Sequence, residues 1–446
     1  MSERQGTAPE FPAEPIDVVA TPFQRFVHTE SVGGIVLLLA AILALLVANS
    51  ALGPLVESFW TMPTGAHIGP AVWDYPLRHW INDGLVTLFF FVVGLEIKRE
   101  IAYGELSSPG AAILPLVAAV GGMVVPAALY LALASGPEAS AGWGVVMATD
   151  IAFVVGCLAL LGKRVPDSLR AFVLALAIID DIGAILVIAI GYSSEFNALP
   201  FAAAVVGLGI TYLMQRLGVR PVLAYWFVGL LIWLAMHESG IHPTIAGVAL
   251  GLLTPVRAWV DDERLDRFLS WARPAADRSA TRPDKAMRRQ VARAVRESIP
   301  PQQRLEDELH PWSAFFVLPL FALANAGVAI SLAGVFDPIT LAVIVGLAVG
   351  KPLGIFGFSW VAVKLGFARK PPEYSWAMLL AAGSLAGIGF TMSLFIGNLA
   401  FEGAALESAK LGILIASLIS AAVGMTLFWS MSKKDGLGAA ARNARS

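Results

Sequence analysis

Apolar runs of about twenty residues, separated by short polar breaks, fill most of the chain. A helix needs about 20 mostly apolar residues to cross the hydrocarbon core of a bilayer. Twelve windows meet that need: 31–50, 80–97, 110–134, 143–162, 169–192, 199–215, 221–237, 241–256, 311–332, 339–362, 374–399 and 408–431. The breaks are short except at 51–79, 257–310 and the two ends. Segment 51–79 carries Pro54, Pro63, Gly65, Gly69 and Pro70, so it reads as a loop with room for a hairpin. The pattern predicts an all-α polytopic membrane protein. Residues 1–30 form a cytoplasmic N-terminal tail with a short interfacial piece from Phe23 to Val27, 31–432 the membrane domain, and 433–446 a cytoplasmic C-terminal tail.

Composition points the same way. The 446 residues are 57% hydrophobic and 14% charged, where a soluble domain carries about 25% charged residues. So much apolar surface does not fit inside one water-soluble core. The lone Cys157 excludes an intrachain disulfide and a thiolate metal site, and reads as a small buried hydrophobe. The first 29 residues lack the basic start and apolar core of a cleaved signal peptide. With the N-terminus on the cytoplasmic side, all but three of the 31 Lys and Arg also fall there: Arg78 and Lys410 lie opposite, and Lys351 lies within a span. The enlarged loop 257–304 is Arg-rich. Met287, Val291, Ala294, Val295 and Ile299 recur in it at helical spacing beside Arg288, Arg289, Arg293 and Arg296. That pattern fits a basic amphipathic helix on the membrane surface or a solvated linker. No soluble catalytic domain is visible.

A charge at mid-bilayer costs at least about 2.5–3.5 kcal/mol, which makes each one a functional candidate. Asp150 lies in the fourth span, Asp180 and Asp181 in the fifth, and Lys351, followed by Pro352, in the tenth. Asp180 and Asp181 stand near the middle of their helix. Two carboxylates about 6 Å apart repel by roughly 3 kcal/mol at an effective dielectric of 20, so the pair gains by taking up protons or a cation. A hard cation such as Na⁺ seeks the same oxygens. Protons and cation therefore exclude one another, the minimum machinery of an exchanger. Glycines interrupt the fourth span (Gly142, Gly144, Gly156) and the eleventh (Gly383, Gly387, Gly389). They fit either broken helices or close helix packing. Half-helix ends meeting at mid-membrane would need charges of both signs, which Asp150 and Lys351 supply, with Thr149 as a neutral oxygen. Glu96, Lys98, Arg99 and Glu100 cluster at one end of the second span, and Glu306, Asp307, Glu308 and His310 before the ninth. Together they suit a titratable cytoplasmic mouth or an ordinary charged border. His237 and His242 read as packing or capping residues near an interface.

The chain resembles the NhaA family of Na⁺/H⁺ antiporters from about Phe23 to Trp429. The likeness rests on Phe-Phe-Phe-Val-Val-Gly-Leu-Glu-Ile-Lys-Arg-Glu (89–100), Ala-Thr-Asp-Ile-Ala-Phe (148–153), Leu-Ala-Leu-Leu-Gly-Lys-Arg-Val-Pro (158–166), Ala-Leu-Ala-Ile-Ile-Asp-Asp-Ile-Gly-Ala-Ile (175–185), Ser-Gly-Ile-His-Pro-Thr-Ile-Ala-Gly-Val (239–248), Leu-Pro-Leu-Phe-Ala-Leu-Ala-Asn-Ala-Gly-Val (318–328), Gly-Lys-Pro-Leu-Gly-Ile (350–355) and Gly-Ile-Gly-Phe-Thr-Met-Ser (387–393). In this order the strings are highly specific. The resemblance implies about twelve transmembrane helices with inverted-topology repeats and two discontinuous helices, spans four and eleven. It implies electrogenic, pH-regulated exchange of Na⁺, and also Li⁺, for H⁺ across the inner membrane, by a homodimer joined partly through the loop after helix one. Asp180 and Asp181 would bind cation and protons. Lys351 would pair with Asp180, and Asp150 would balance helix dipoles beside Thr149. Glu96, Arg99, Glu100, Glu306 and His310 would belong to a pH-responsive funnel, with His242 a further pH-linked candidate. No cofactor beyond the transported ions and no nucleic acid is implied. The long N-terminal tail and the enlarged 257–304 loop depart from the family pattern.

Rival readings fare worse. An intramembrane aspartyl protease needs two carboxylates facing across a cleft, whereas neighbours on one helix diverge by about 100°. No His-Glu-x-x-His occurs for a metalloprotease. A transporter of organic substrates would need a larger deep polar set, and no repeated carbonyl-filter sequence marks a channel. The chain is read as a transporter and not an enzyme.

Overall fold

The computed structural model describes residues 30–68, 71–193, 196–219, 221–278, 285–330 and 332–443. The interfacial piece expected at Phe23 to Val27 lies outside them. Helix α1 (Glu30–Ala48) meets α2 (Gly53–Trp60), started by Pro54, across a bend of 115°. The proline-rich stretch that follows forms an antiparallel hairpin of β1 (Pro63–Ile68) and β2 (Ala71–Pro76), with Pro63 opposite Pro76. Prolines are tolerated at the open end of such a ribbon because they remove no needed ladder bond.

Then come α3 (Leu77–Tyr103), which opens with a π-turn at Trp80–Leu85, α4 (Pro109–Leu133), α5 (Ile151–Leu161), α6 (Asp167–Gly191), α7 (Ala198–Arg216), α8 (Val222–Glu238) and α9 (Thr244–Leu253). The enlarged loop folds as α10 (Asp262–Arg278) and α11 (Lys285–Glu297). Within α11 the apolar stripe turns Ala294 inward, and the N–H groups of Trp259 and Val260 donate to Glu297 O at its end. Of the expected features of this segment, a helix is found at Lys285–Glu297, with Val295 and Ile299 of the apolar set exposed.

Helix α12 runs from Pro301–Trp312 through a π-turn, Ser313–Val317, to Leu318–Asn325. It is followed by α13 (Pro338–Lys364), α14 (Trp376–Ala386), α15 (Phe390–Ala400) and α16 (Gly403–Asn443). The last helix continues past 432, where the membrane domain was expected to end.

Among the described residues, six helices are long and apolar enough to cross a membrane, and up to eight if each bent pair is one span. The windows 143–162, 221–237, 241–256 and 311–332 map instead onto short or interrupted helices, such as the 17-residue α8 and the 10-residue α9. Apolar composition continues through these windows while the backbone breaks at Asp150 and at Ala326, so hydropathy alone overstates helix continuity.

Two helix pairs approach through glycine. Gly94 of α3 and Gly251 of α9 face each other, and a Cβ on Gly94 would stand 2.7 Å from Val248 O. Gly121 of α4 and Gly354 of α13 are closer still: a Cβ on Gly354 would come 2.1 Å from Gly121 O. Small residues let membrane helices pack backbone to backbone. Outside, large apolar side chains such as Ile190, Leu199, Leu223 and Phe227 are exposed. An apolar exterior of this extent suits lipid rather than water.

Candidate ion-binding site

Two chain breaks cross at the centre of the molecule. The first lies between the turn at Ala141–Gly144 and the start of α5, where Asp150 is extended (φ −88°, ψ 100°). The second lies between α14 and α15, whose axes differ by 47°. Each break leaves helix-end N–H and C=O groups without intrahelical partners. The two segments satisfy one another. The Asp150 N–H donates to Ile388 O at 2.7 Å, the Thr149 hydroxyl to Ala386 O at 2.8 Å, and the Ser393 hydroxyl to Val145 O at 2.7 Å.

Asp150 serves two helices at once. Its Oδ1 accepts from the Phe153 N–H (3.2 Å) in the first turn of α5. Its Oδ2 accepts from the Thr391 N–H (3.0 Å) in the first turn of α15, and also from the Thr391 hydroxyl. One negative charge therefore sits against the positive ends of two helix dipoles. Some of the glycines in these segments allow the close fit: Gly142 and Gly144 lie against Tyr130, Phe401 and Tyr192, whereas Gly156 has open space beside it.

Asp180 and Asp181 stand halfway along α6, with 1% and 2% of their surface exposed. Lys351, fully buried where α13 resumes after a π-turn at Gly346–Gly350, reaches Asp180 Oδ2 at 2.7 Å and also donates to Met147 O. The lysine thus ties α13 to α6 and to the chain break before α5. Asp181 lies within electrostatic reach of Asp180, Glu96 and Asp150. Oδ1 of Asp180 and Oδ1 of Asp181 are buried and find no hydrogen-bond donor among the described residues. Buried carboxylate oxygens are normally paired. Unpaired carboxylate oxygens of this kind are the hard donors that protons or a hard cation seek.

The structure thus brings together Asp150, Thr149, Asp180, Asp181 and Lys351. A second group forms where α3 and α12 meet. Arg99 Nη1 pairs with Glu306 Oε1, and Gln302 donates to Glu306 Oε2 and, at 3.3 Å, to Leu95 O. Burial pushes the Glu306 carboxyl up from its ordinary value, and the Arg99 guanidinium pulls only partly against it. Glu100 is turned to the end of α3, where its Oε1 accepts from the Glu105 N–H at 2.6 Å. Glu96 and His310 are half-buried nearby in sequence. His242 is not in this group. It stands in the turn before α9, with Nε2 3.8 Å from Asp83 Oδ1. Asp83 and Arg99 are sixteen helical positions apart on α3, or roughly 24 Å at the usual rise of 1.5 Å per residue.

Sequence reading missed two residues here. Thr391 was visible only as part of a longer string, and its role needs the crossing to be seen. Asp83 lies inside a span and four residues after His79, a signal that could have marked it.

The family model described as Na⁺/H⁺ antiporter 1 matches residues 24–428. The chain belongs to that family. It is 49% identical over 430 residues to "Na(+)/H(+) antiporter NhaA 2" of Acidiphilium cryptum, covering 96% of each chain. It is 48% identical to the Na(+)/H(+) antiporter NhaA of Rhizobium meliloti (95% of this chain, 98% of that one) and 47% identical to that of Rhodopirellula baltica (95% and 97%). Among solved structures, the sodium proton antiporter of Methanocaldococcus jannaschii aligns over 89% of this chain and 95% of its own, at 15% identity and a TM-score of 0.41. As a member of the Na⁺/H⁺ antiporter 1 family the chain is a polytopic, mostly helical membrane protein.

Proposed function

We propose that this chain is a secondary transporter, not an enzyme, that exchanges Na⁺ and Li⁺ for H⁺ across the cell inner membrane, with both termini cytoplasmic. The observation that carries the reading is the pair of adjacent, buried aspartates with an unpaired oxygen on each. Asp181 and Asp180 hold the cation, with Thr149 as a neutral neighbour. The cation and the protons compete for the same oxygens, so loading one releases the other. Lys351 holds Asp180 when no cation is bound, and Na⁺ binding draws Asp180 away from it. Asp181 then gives up one proton and Lys351, freed from Asp180, the other, so two protons leave per cation and exchange is electrogenic. Asp150 stays charged throughout, because the first turns of α5 and α15 both need it.

The bent pair α14 and α15 acts as one interrupted span, and the Ala141–Gly144 turn with α5 as another. Counting α1, α8, α9 and α12 as spans with them and the six long helices then gives twelve. Arg99, Glu306 and their neighbours form a cytoplasmic mouth that sets the pH response, and the β1–β2 hairpin suits an edge-to-edge contact in a homodimer.

The test is proton release in inverted membrane vesicles on addition of Na⁺ or Li⁺, followed by a pH-sensitive dye. Asp181→Asn is expected to abolish the response while the protein still inserts and purifies as a monodisperse species. A normal response from that variant would remove the site assignment.

A further inference from the structure

Three of the chain's six histidines converge on one carboxylate at the end of α3 opposite Arg99. His79 Nε2 lies 3.5 Å from Asp83 Oδ2, His237 Nδ1 lies 4.0 Å from the same oxygen, and His242 Nε2 lies 3.8 Å from Asp83 Oδ1. We propose that His79, Asp83 and His237 form a binding site for a divalent transition-metal cation of the zinc class.

The distances argue for an ion between these groups. They exceed hydrogen-bond length, so the carboxylate and the rings are gathered without bonding directly. Ligand atoms of His79, Asp83 and His237 lie within 4.8 Å of one another. Zinc bonds of about 2.0–2.1 Å in a tetrahedron give donor-to-donor edges of roughly 3.4 Å, so the longest edge closes by at most about 1.4 Å to complete the set. A donor set of imidazoles with one carboxylate favours zinc-class metals over alkali ions, which prefer oxygen alone.

An outer partner leaves the ligating nitrogen of His237 free. His237 Nε2 is held by the Tyr75 hydroxyl at 3.2 Å, which turns Nδ1 toward Asp83. Metal-ligating histidines are oriented by such a bond on the other ring nitrogen. His242 Nδ1 lies 2.7 Å from the Thr244 hydroxyl and accepts from the Thr244 N–H at 3.4 Å, so its neutral ring carries the proton on Nε2 and faces Asp83 as an outer partner of the carboxylate. Tyr75 stacks on His79 and Trp233 on His237, fixing both planes. The His79 side chain is 31% exposed and that of His242 8%, so the cluster has an open side and a closed one. The ligands come from the start of α3 and the end of α8, with His242 of the turn before α9 beside the carboxylate. A bound ion would pin these together, at the opposite end of α3 from the Arg99–Glu306 pair.

The experiment uses the full chain, purified in detergent without an affinity tag and stripped with a chelator. Zn²⁺ is titrated by calorimetry, and Co²⁺ is used as a visible spectroscopic probe. The expected result is saturable uptake of one Zn²⁺ per chain and a Co²⁺ spectrum of tetrahedral or five-coordinate type. His79→Gln/His237→Gln should weaken uptake by more than about 100-fold, beyond the 10–100-fold that loss of an outer partner costs, and Tyr75→Phe should fall within that lower range. His310→Gln should bind as the wild type does. No saturable uptake by the wild-type protein would overturn the proposal, as would uptake that survives in the double variant.

Discussion

Two of the ion pairs among the described residues, similar in composition, stand in different surroundings. Lys351 and Asp180 meet halfway along α6 with 0% and 1% of their side chains exposed, whereas Arg99 and Glu306 meet at a helix border with 48% and 8% exposed. In the first, water cannot screen the charges or replace a lost partner. In the second, Arg99 reaches solvent and only the carboxylate is sheltered. A buried pair gains little over apolar packing, yet breaking one side of it is costly. A half-exposed pair is worth about 0–1 kcal/mol and is readily remodelled. The central pair is therefore fitted to hold a fixed charge balance that only an ion or a proton can alter, and the border pair to respond gradually to its surroundings.

The largest expected effect separates these two regimes. Lys351→Ala leaves Asp180 charged and alone beside Asp181 and should cost about 3–5 kcal/mol. The melting midpoint of the purified protein should fall by several degrees. Lys351→Ala/Asp180→Asn should recover most of that loss, because both unpaired charges are gone, and the cycle isolates the pair. Arg99→Ala should barely move the midpoint. Equal losses from Lys351→Ala and Arg99→Ala would break the comparison.

Asp150→Asn comes next. An amide still offers one acceptor but no charge to the first turns of α5 and α15, so the loss should be about 1–2 kcal/mol. Thr391→Val removes one hydroxyl bond to the same carboxylate and should cost about 1 kcal/mol. Thermal melts of the two variants and of their combination check this. Full additivity would mean that Asp150 and Thr391 do not act together.

Much of this could be read from residue order alone, for definite reasons. Asp150, Asp180, Asp181 and Lys351 stand out because charge is expensive in apolar runs. The windows for α3, α4, α6, α7, α13 and α16 stand out because each is one unbroken helix. The chain breaks at Asp150 and at 387–389 were harder. Glycine there fits packing as well as interruption, and only the bonds from Asp150 N–H to Ile388 O and from Thr149 to Ala386 O show that the two breaks cross. The π-turns before Val86, Leu318 and Lys351 leave no mark in hydropathy. The histidine cluster was hidden by distance along the chain: His79 and Asp83 form an ordinary helical pair, and His237 and His242 look like interface residues until α8 and α9 pack beside α3.

The smallest effect tests the border pair through pH. Burial raises the Glu306 carboxyl above its ordinary value of 4.5 in the folded protein, with Arg99 opposing. A carboxyl that holds its proton more tightly when folded contributes stability that is present below the unfolded value. That contribution is lost as pH rises from 4.5 through the raised folded value. Glu306→Gln removes the titration, so its stability should be flatter than the wild type's across that window and should gain on it at the upper end. Measured as the difference in melting midpoint against pH, the change should be slight, because half of the Arg99 side chain is in solvent. If the border cluster also sets the pH response, the same variant should shift the pH midpoint of Na⁺-driven proton release while leaving the maximal rate nearly unchanged. The central pair should admit no such separation: on the proposed site, a change at Asp180 or Lys351 is expected to alter rate and apparent Na⁺ affinity together. A Glu306→Gln protein with an unshifted pH profile and a lowered maximal rate would place Glu306 with the central site and erase the distinction between the two regions.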